Sequence, residues 1–376
     1  MASAGAATVL GPLTAVGAEA RGPVEQGTGP FPTEGMAAYS PNGPHKLLKF
    51  QRRALRPKDV AIRIHYCGVC HSDIHTVRGD WGKYPYPLIT GHELAGEVVG
   101  VGSSVSKFKV GSRVGVGTMV NSCRQCRECQ AGFEQYCENG NTQAYGSKDR
   151  DDSITQGGYS RLVVVDEDFV LSIPDSIDLA EAGPLLCAGI TVYSPLRHWS
   201  VAPGQNVAIV GLGGLGHLAV QLASALGASV TVITTSPDKA KDARRFGAKE
   251  VLVNKEGADF SKQKKTFDFI LDTVPYAHEL DRLIPLLKRD ATYCRVGVGK
   301  LTTPNEVGQM HLVLARNSLA GSVTGGIRET QELVNFCALQ KIKPEVTKIA
   351  LTGIDEAWSK VVAKRARYRF VVDMNA

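Results

Sequence analysis

The chain has 376 residues, a formal net charge of +6, and a composition that is 43% hydrophobic and 21% charged. That length exceeds one ordinary core and predicts two domains, and the balance of residues is that of a globular protein. No apolar run approaches the roughly 20 residues of a membrane span, and the charge is spread over many positions rather than gathered into a nucleic-acid footprint.

Residues 1–35 are rich in Ala, Gly, Pro and Thr and carry no periodic apolar face, which predicts a flexible tail. A secretory leader needs a basic start and an apolar core, and a transit peptide needs Arg and Ser with little acid. The tail offers Arg21 and Ser3 but also Glu19 and Glu25, so the expected location is the cytoplasm, with an organelle left open. Two runs of metal-binding residue types follow: HYCGVCHSDIH, His65 to His75, and TGHELAGEVVGVG, Thr90 to Gly102. A third thiol lies far downstream in PLLCAGITVYSPL, Pro184 to Leu196. A catalytic zinc keeps three protein ligands and one open position, and two cysteines with one histidine is a known set. Cys70, His92 and Cys187 could supply it. The gaps are long, so spacing alone does not establish the site, and a lone Cys in PLLCAG also reads as a small buried hydrophobe.

The run CRQCRECQAGFEQYC, Cys123 to Cys137, holds four of the nine cysteines in fifteen residues. Two residues separate Cys123 from Cys126 and Cys126 from Cys129, and seven separate Cys129 from Cys137. Short gaps let thiolates converge on one tetrahedral ion with Zn–S distances of about 2.3 Å, and the wider step closes the fourth corner. Arg124, Arg127 and their polar neighbours suit an exposed lobe. Structural zinc is the expected occupant; an iron–sulfur cluster, which also takes four cysteines, and a disulfide pair remain open. With all four corners filled, such a site serves stability rather than turnover.

NVAIVG, Asn206 to Gly211, reads as a buried strand running into GLGGLG and then the apolar-periodic HLAVQLASALGA. Gly211, Gly213 and Gly216 form the GxGxxG pattern between strand and helix, with Gly214 inside it, which predicts a dinucleotide site. The helix N-terminus would then face the phosphates. The next strand, SVTVITTS, Ser229 to Ser236, ends without the Asp or Glu that bonds a ribose 2′-hydroxyl. Thr235 and Ser236 leave room for a 2′-phosphate and Lys239 supplies charge, which favours NADP over NAD. Ser236 and Pro237 also read as an ordinary helix start, and both readings can hold. FDFILDTV, Phe267 to Val274, and ATYCRVGVG, Ala291 to Gly299, continue a doubly wound parallel sheet. The basic KRARYRF, Lys364 to Phe370, reads as a strand with one solvated face.

Together these motifs, with GGYSRLVVV and the closing YRFVVD, resemble the medium-chain, zinc-dependent alcohol dehydrogenases, in particular the cinnamyl alcohol dehydrogenase-like branch of NADP-dependent aldehyde reductases. The resemblance spans about residues 36 to 373. It implies an α/β chain with a GroES-like β-rich catalytic domain at 36–188, a doubly wound Rossmann domain at 189–326 and a return to the catalytic domain at 327–376. It implies two zinc ions per chain, one held by Cys70, His92 and Cys187, the other by Cys123, Cys126, Cys129 and Cys137. Glu93 would tune the catalytic ion and Asp73 would orient His92. Ser72 would contact the reacting oxygen and His75 would pass the proton towards solvent. Thr191 would lie near the nicotinamide and His71 near the pyrophosphate. Trp81 and Met119 would wall the substrate pocket, although Trp81 could equally just pack the domain. Cys67, Cys294 and Cys337 match no ligand position and read as packing thiols. The implied reaction is reversible hydride transfer between NADP(H) and an aldehyde, in a homodimer, with no nucleic-acid or membrane partner. Two further readings stay open: reduction of an iminium or activated double bond on the same fold, and a nucleotide-bound protein without turnover.

Overall fold

The computed structural model describes residues 28–301 and 307–376. The expectation of a flexible tail therefore falls, for residues 1–27, outside the described residues. Its last part is corrected. Phe31–Ala37 is a strand that pairs antiparallel with Lys46–Arg52, starting at Phe31 opposite Arg52. Phe31 buries its ring with Ala61 and Leu162, which gives this stretch an apolar anchor that composition alone did not reveal.

Seven strands form one sheet. Its centre is Asp59–Gly68, which pairs antiparallel with Leu94–Val101, Leu162–Asp166 and Arg369–Asp373. Arg113–Val116 and Leu171–Ser172 extend one side, and Val346–Ala350 adds in parallel on the other. Both faces of Asp59–Gly68 are largely covered, so its apolar residues pack into two clusters, one around Ile62, Ile64 and Val98 and one around Phe31 and Ala61.

The second sheet has six parallel strands: Glu250–Val253, Ser229–Thr234, Asn206–Val210, Phe267–Asp272, Leu287–Arg295 and Ser318–Gly321. Counted in chain order the strands lie 3-2-1-4-5-6, the doubly wound order, which puts a crevice beside Asn206–Val210 where the order reverses. Val207–Val210 is an unbroken buried run, as a strand covered on both faces requires. The expected α/β pairing of a β-rich domain with a doubly wound domain is what the structure has.

Helix Ile327–Gln340 buries Leu333, Val334 and Cys337 in a core that also holds Leu171 of the first sheet, its Gln331 bonds Ser172 of that sheet, and the chain becomes a strand there at Val346. One segment differs from expectation. The basic stretch from Lys364 is not strand until Arg369, because Lys364 takes the left-handed conformation at φ 57°. Arg369–Val372 is buried, so the expected solvated face is absent.

Candidate active site

Strand register brings the first two thiol and imidazole groups together. Cys67 sits opposite Leu94, so Cys70, just past the end of one strand, faces His92, just before the start of the other. Cys70 then opens helix His71–Arg78. The Asp73 carboxylate accepts the Cys70 N–H at 3.0 Å and so starts the helix. It also accepts the Gly91 N–H at 3.0 Å and pairs with His92 Nδ1 at 3.0 Å. One buried carboxylate thus fixes both residues, and His92 Nε2 is left facing the third.

Cys187 arrives on a π-helical turn, Leu185–Gly189, set between helices Leu179–Pro184 and Ile190–His198. Such turns commonly mark functional positions because they rotate one side chain out of helical phase. Gly183 permits the approach: a Cβ there would stand 2.5 Å from the Glu93 carbonyl oxygen. Cys187 Sγ lies 3.9 Å from Cys70 Sγ and 3.1 Å from His92 Nε2. Two thiolates about 2.3 Å from one zinc at the tetrahedral angle stand about 3.8 Å apart, so the donor set fits that ion. The Cys187 thiol hydrogen-bonds Cys70 and, with His92 beside it, holds Cys70 well below the ordinary thiol range against the effect of burial. Glu93 joins the same group of donor atoms. Its Oε1 pairs with Arg369, while its Oε2 is buried with no hydrogen-bond partner among the described residues. Burial pushes Glu93 up to about 7, against the pull of Arg369.

Cys70, His92, Cys187 and Arg369 line one cavity of about 770 Å³ that runs to the glycine loop of the nucleotide sheet. Gly211 adopts φ 90°, and a Cβ on Gly216 would stand 2.1 Å from the Gly211 oxygen, so turn and helix packing both demand glycine there. A Cβ on Gly213 would meet no protein atom, which leaves an open cradle towards the cavity. On Gly214 it would press on Arg369, which therefore reaches from Glu93 to the loop. This geometry fits a dinucleotide. Thr235, Ser236 and Lys239 line the same cavity. Ser236 precedes a 3₁₀ turn with Pro237 first, although its hydroxyl makes no cap bond. The Lys239 ammonium donates to the Leu212 carbonyl at 2.9 Å, and burial lowers its pKa.

His71, Ser72, Trp81, Met119 and Thr191 all line the cavity. Burial, reinforced by the charge of His75, pushes His71 down to about 4, so it presents a neutral ring. Ser72 Oγ lies 3.5 Å from Cys70 Sγ. No hydrogen bond joins Ser72 to His75 among the described residues. His75 instead pairs through Nδ1 with Asp80 at 2.7 Å, and Asp80 meets Lys300 at 3.4 Å. Its Nε2 is buried without a partner among the described residues. Trp81 faces the cavity, and it stacks on His75 at 5.1 Å while donating to the Gly299 carbonyl at 2.8 Å.

The four-cysteine run folds as its own lobe, with all four sulfurs within 4.8 Å of one another. Cys123 and Cys129 sulfurs lie 3.9 Å apart. Asn139 and the N–H groups of Cys126 and Gln125 lower the Cys123 thiol to about 6. Arg124 is not simply solvated: it ties the lobe to Asp166 and Asp168, each at 2.8 Å.

Sequence reasoning missed five residues of the site. Arg369 hid inside a basic stretch. Tyr145 stacks obliquely 5.6 Å from His92 and lines the cavity with Tyr276. Asp80 had no signal beyond its closeness to His75 in sequence. Tyr159, inside GGYSRLVVV, donates to Asp73 at 2.8 Å.

A family model described as alcohol dehydrogenase GroES-like domain matches residues 56–175, and one described as zinc-binding dehydrogenase matches residues 214–338. The NADP-dependent alcohol dehydrogenase C 1 of Mycolicibacterium smegmatis is 49% identical over 338 residues, 90% of this chain and 96% of that one. The aldehyde reductase YahK of Escherichia coli is 45% identical over 341 residues, 90% and 97% of the two chains. The solved cinnamyl alcohol dehydrogenase of Sorghum bicolor matches with a TM-score of 0.87 at 36% identity, covering 92% of this chain and 98% of that one.

Proposed function

The chain belongs to the zinc-binding medium-chain alcohol dehydrogenase family, and from that premise we propose that it transfers hydride between NADP(H) and an aldehyde or its primary alcohol. It is an oxidoreductase of alcohols and aldehydes; aromatic, cinnamaldehyde-type and medium aliphatic aldehydes are the class proposed for it. The observation that carries this reading is that Cys70, His92 and Cys187 share a single cavity with the glycine loop.

Cys70, His92 and Cys187 would hold a zinc ion that supplies Lewis acidity at the carbonyl oxygen, while Cys123, Cys126, Cys129 and Cys137 would hold a second that supplies stability. The glycine loop with Thr235, Ser236 and Lys239 would hold NADP(H), which supplies or accepts hydride. Asp73 accepts the hydrogen bond of His92 Nδ1–H and so leaves Nε2 with its lone pair free to bind a metal. Ser72 Oγ holds a proton beside the reacting oxygen and passes it towards His75. The two are not bonded to each other, so the transfer needs a bridging oxygen between them. His71, whose ring burial keeps neutral, would lie near the phosphates without adding charge. Trp81, Met119, Thr191 and Tyr145 exclude water from the reacting carbon and favour flat or medium-length substrates.

A second copy of the chain is proposed on the free edge strand Ser318–Gly321. The neighbouring helix Gln309–Ala315 exposes 72% of Val313 and 76% of Leu314, which suits a homodimer interface. Nine free thiols suit a reducing compartment, and the cytoplasm is the proposed location.

Initial rates with one aromatic aldehyde, NADPH and NADH side by side, test the reading. Fast turnover with NADPH and little with NADH is the expected result. A preference for NADH overturns the roles of Thr235, Ser236 and Lys239. No turnover with either cofactor, in protein holding two zincs per chain, overturns the substrate class.

A further inference from the structure

The Asp73 carboxylate is a four-way junction with no exposure to solvent. Its Oδ1 meets the Gly91 N–H and His92 Nδ1, and its Oδ2 accepts from the Cys70 N–H and the Tyr159 hydroxyl. Four donors fill the roughly four lone-pair sites a carboxylate offers. Three of them belong to the Cys70 and Gly91–His92 segments. The fourth comes from a distant segment and has no other described function.

Tyr159 is itself held from several sides. Its N–H donates to the Thr90 carbonyl at 2.9 Å, and its carbonyl accepts from Met36 at 2.8 Å. Its ring lies against Gly91, where a Cβ would stand 2.9 Å from the ring edge, and Gly91 takes φ 97°. The tyrosine therefore clamps the Thr90–Gly91–His92 backbone with its ring and main chain, and sets the carboxylate that aims His92 with its hydroxyl. Like Asp73, it is fully buried, so water has no ready route to replace that hydroxyl.

We propose that Tyr159 is a positioning residue for the metal centre: its hydroxyl locks the rotation of the Asp73 carboxylate, and through it the tautomer and aim of the His92 ring. The inference rests on the reading of Cys70, His92 and Cys187 as metal ligands. Partners bonded directly to a metal-bound histidine, as Asp73 is, typically change metal affinity by about 10- to 100-fold when lost, and Tyr159 acts one bond further out, at the lower end of that range.

The test uses full-length Tyr159→Phe, Asp73→Asn and the double variant. Zinc release to a chromogenic chelator, the visible spectrum of cobalt-substituted protein and the melting temperature are measured. In the parent, two zinc equivalents should leave in separate phases, and Cys70→Ser identifies the phase of the buried centre. Tyr159→Phe should speed that phase about tenfold, leave the other unchanged and shift the cobalt bands. The double variant should release no faster than Asp73→Asn alone, because the tyrosine acts through that carboxylate. Unchanged release and spectra in Tyr159→Phe overturn the proposal. Equal acceleration of both phases with a lower melting temperature overturns it too, since that is what a packing role gives. A parent that binds only one zinc, with Cys70→Ser losing none, overturns the metal reading itself and the inference with it.

Discussion

Two cysteine-rich centres in this molecule share a sulfur–sulfur distance of 3.9 Å and almost nothing else. One draws its four thiols, two buried and two partly exposed, from a fifteen-residue run on a lobe of short turns. The other draws Cys70 and Cys187 from positions 117 apart, and all of its donors are buried. Closing a short loop costs little entropy, so the lobe is set by local spacing. The buried centre depends on the register of two strands, a capping carboxylate, a π-helical turn and a glycine contact, all in place at once. A local site can stabilise its own neighbourhood. A site assembled from distant parts is exact only when the whole fold is, and that is the kind of site chemistry requires.

If this contrast is right, the two centres should fail in opposite ways. Cys70→Ser should cut turnover about a thousandfold or more, because several kcal/mol of charge stabilisation is lost and each 1.4 kcal/mol is about tenfold. Its melting temperature should stay near that of the parent. Steady-state rates and calorimetry on the same preparation check both halves, and a variant that unfolds instead would erase the contrast. Cys126→Ser should do the reverse. It removes a corner of the lobe's site and should lower the melting temperature by about 5–10 °C, at about 2–4 °C per kcal/mol for a domain of about 150–250 residues. Activity should fall only as far as folded protein is lost. Unchanged melting and zinc content would remove structural metal from the lobe.

The same contrast explains what could be read from the sequence. The lobe was legible because all its information is in one run. The nucleotide crevice was legible because its glycines sit between a strand and a helix whose periods are plain. Cys70, His92 and Cys187 could be joined only through a family resemblance, since no spacing rule encodes strand register or a π turn. Arg369 and Tyr159 stayed unassigned because their partners, Glu93 and Asp73, lie 276 and 86 positions away. Phe31 was misplaced in a tail because one buried ring is too small a signal against a run of Gly, Pro and Thr.

Glu93→Gln probes whether the buried centre also bears on stability. Arg369 is buried and would lose its charge partner, which typically costs about 3–5 kcal/mol. Turnover should fall by about 10- to 100-fold, as for other groups that support a metal site. A pH-independent loss of activity with an unchanged melting temperature would show that Arg369 finds another partner, and the contrast between the centres would then sharpen further.

The smallest effect tests whether the two centres communicate. Glu134, in the lobe, accepts the Ile327 N–H at 3.1 Å and so caps helix Ile327–Gln340 from outside. Arg328 on that helix returns a bond to the Ala131 carbonyl at 3.0 Å. Further along, Leu333 packs so closely on Gly189 that a Cβ there would stand 3.1 Å away, two residues from Cys187. A mechanical path therefore exists from lobe to buried centre. A carboxylate at a helix N-terminus is worth about 0.3–1 kcal/mol, so Glu134→Gln should lower melting by only about 1–3 °C. Turnover should stay within about twofold, because packed helices hold their place against so small a change. A tenfold fall in turnover at that small cost in stability would mean that the lobe sets the position of Cys187 through this helix, and the division between a stabilising centre and a reacting one would no longer hold.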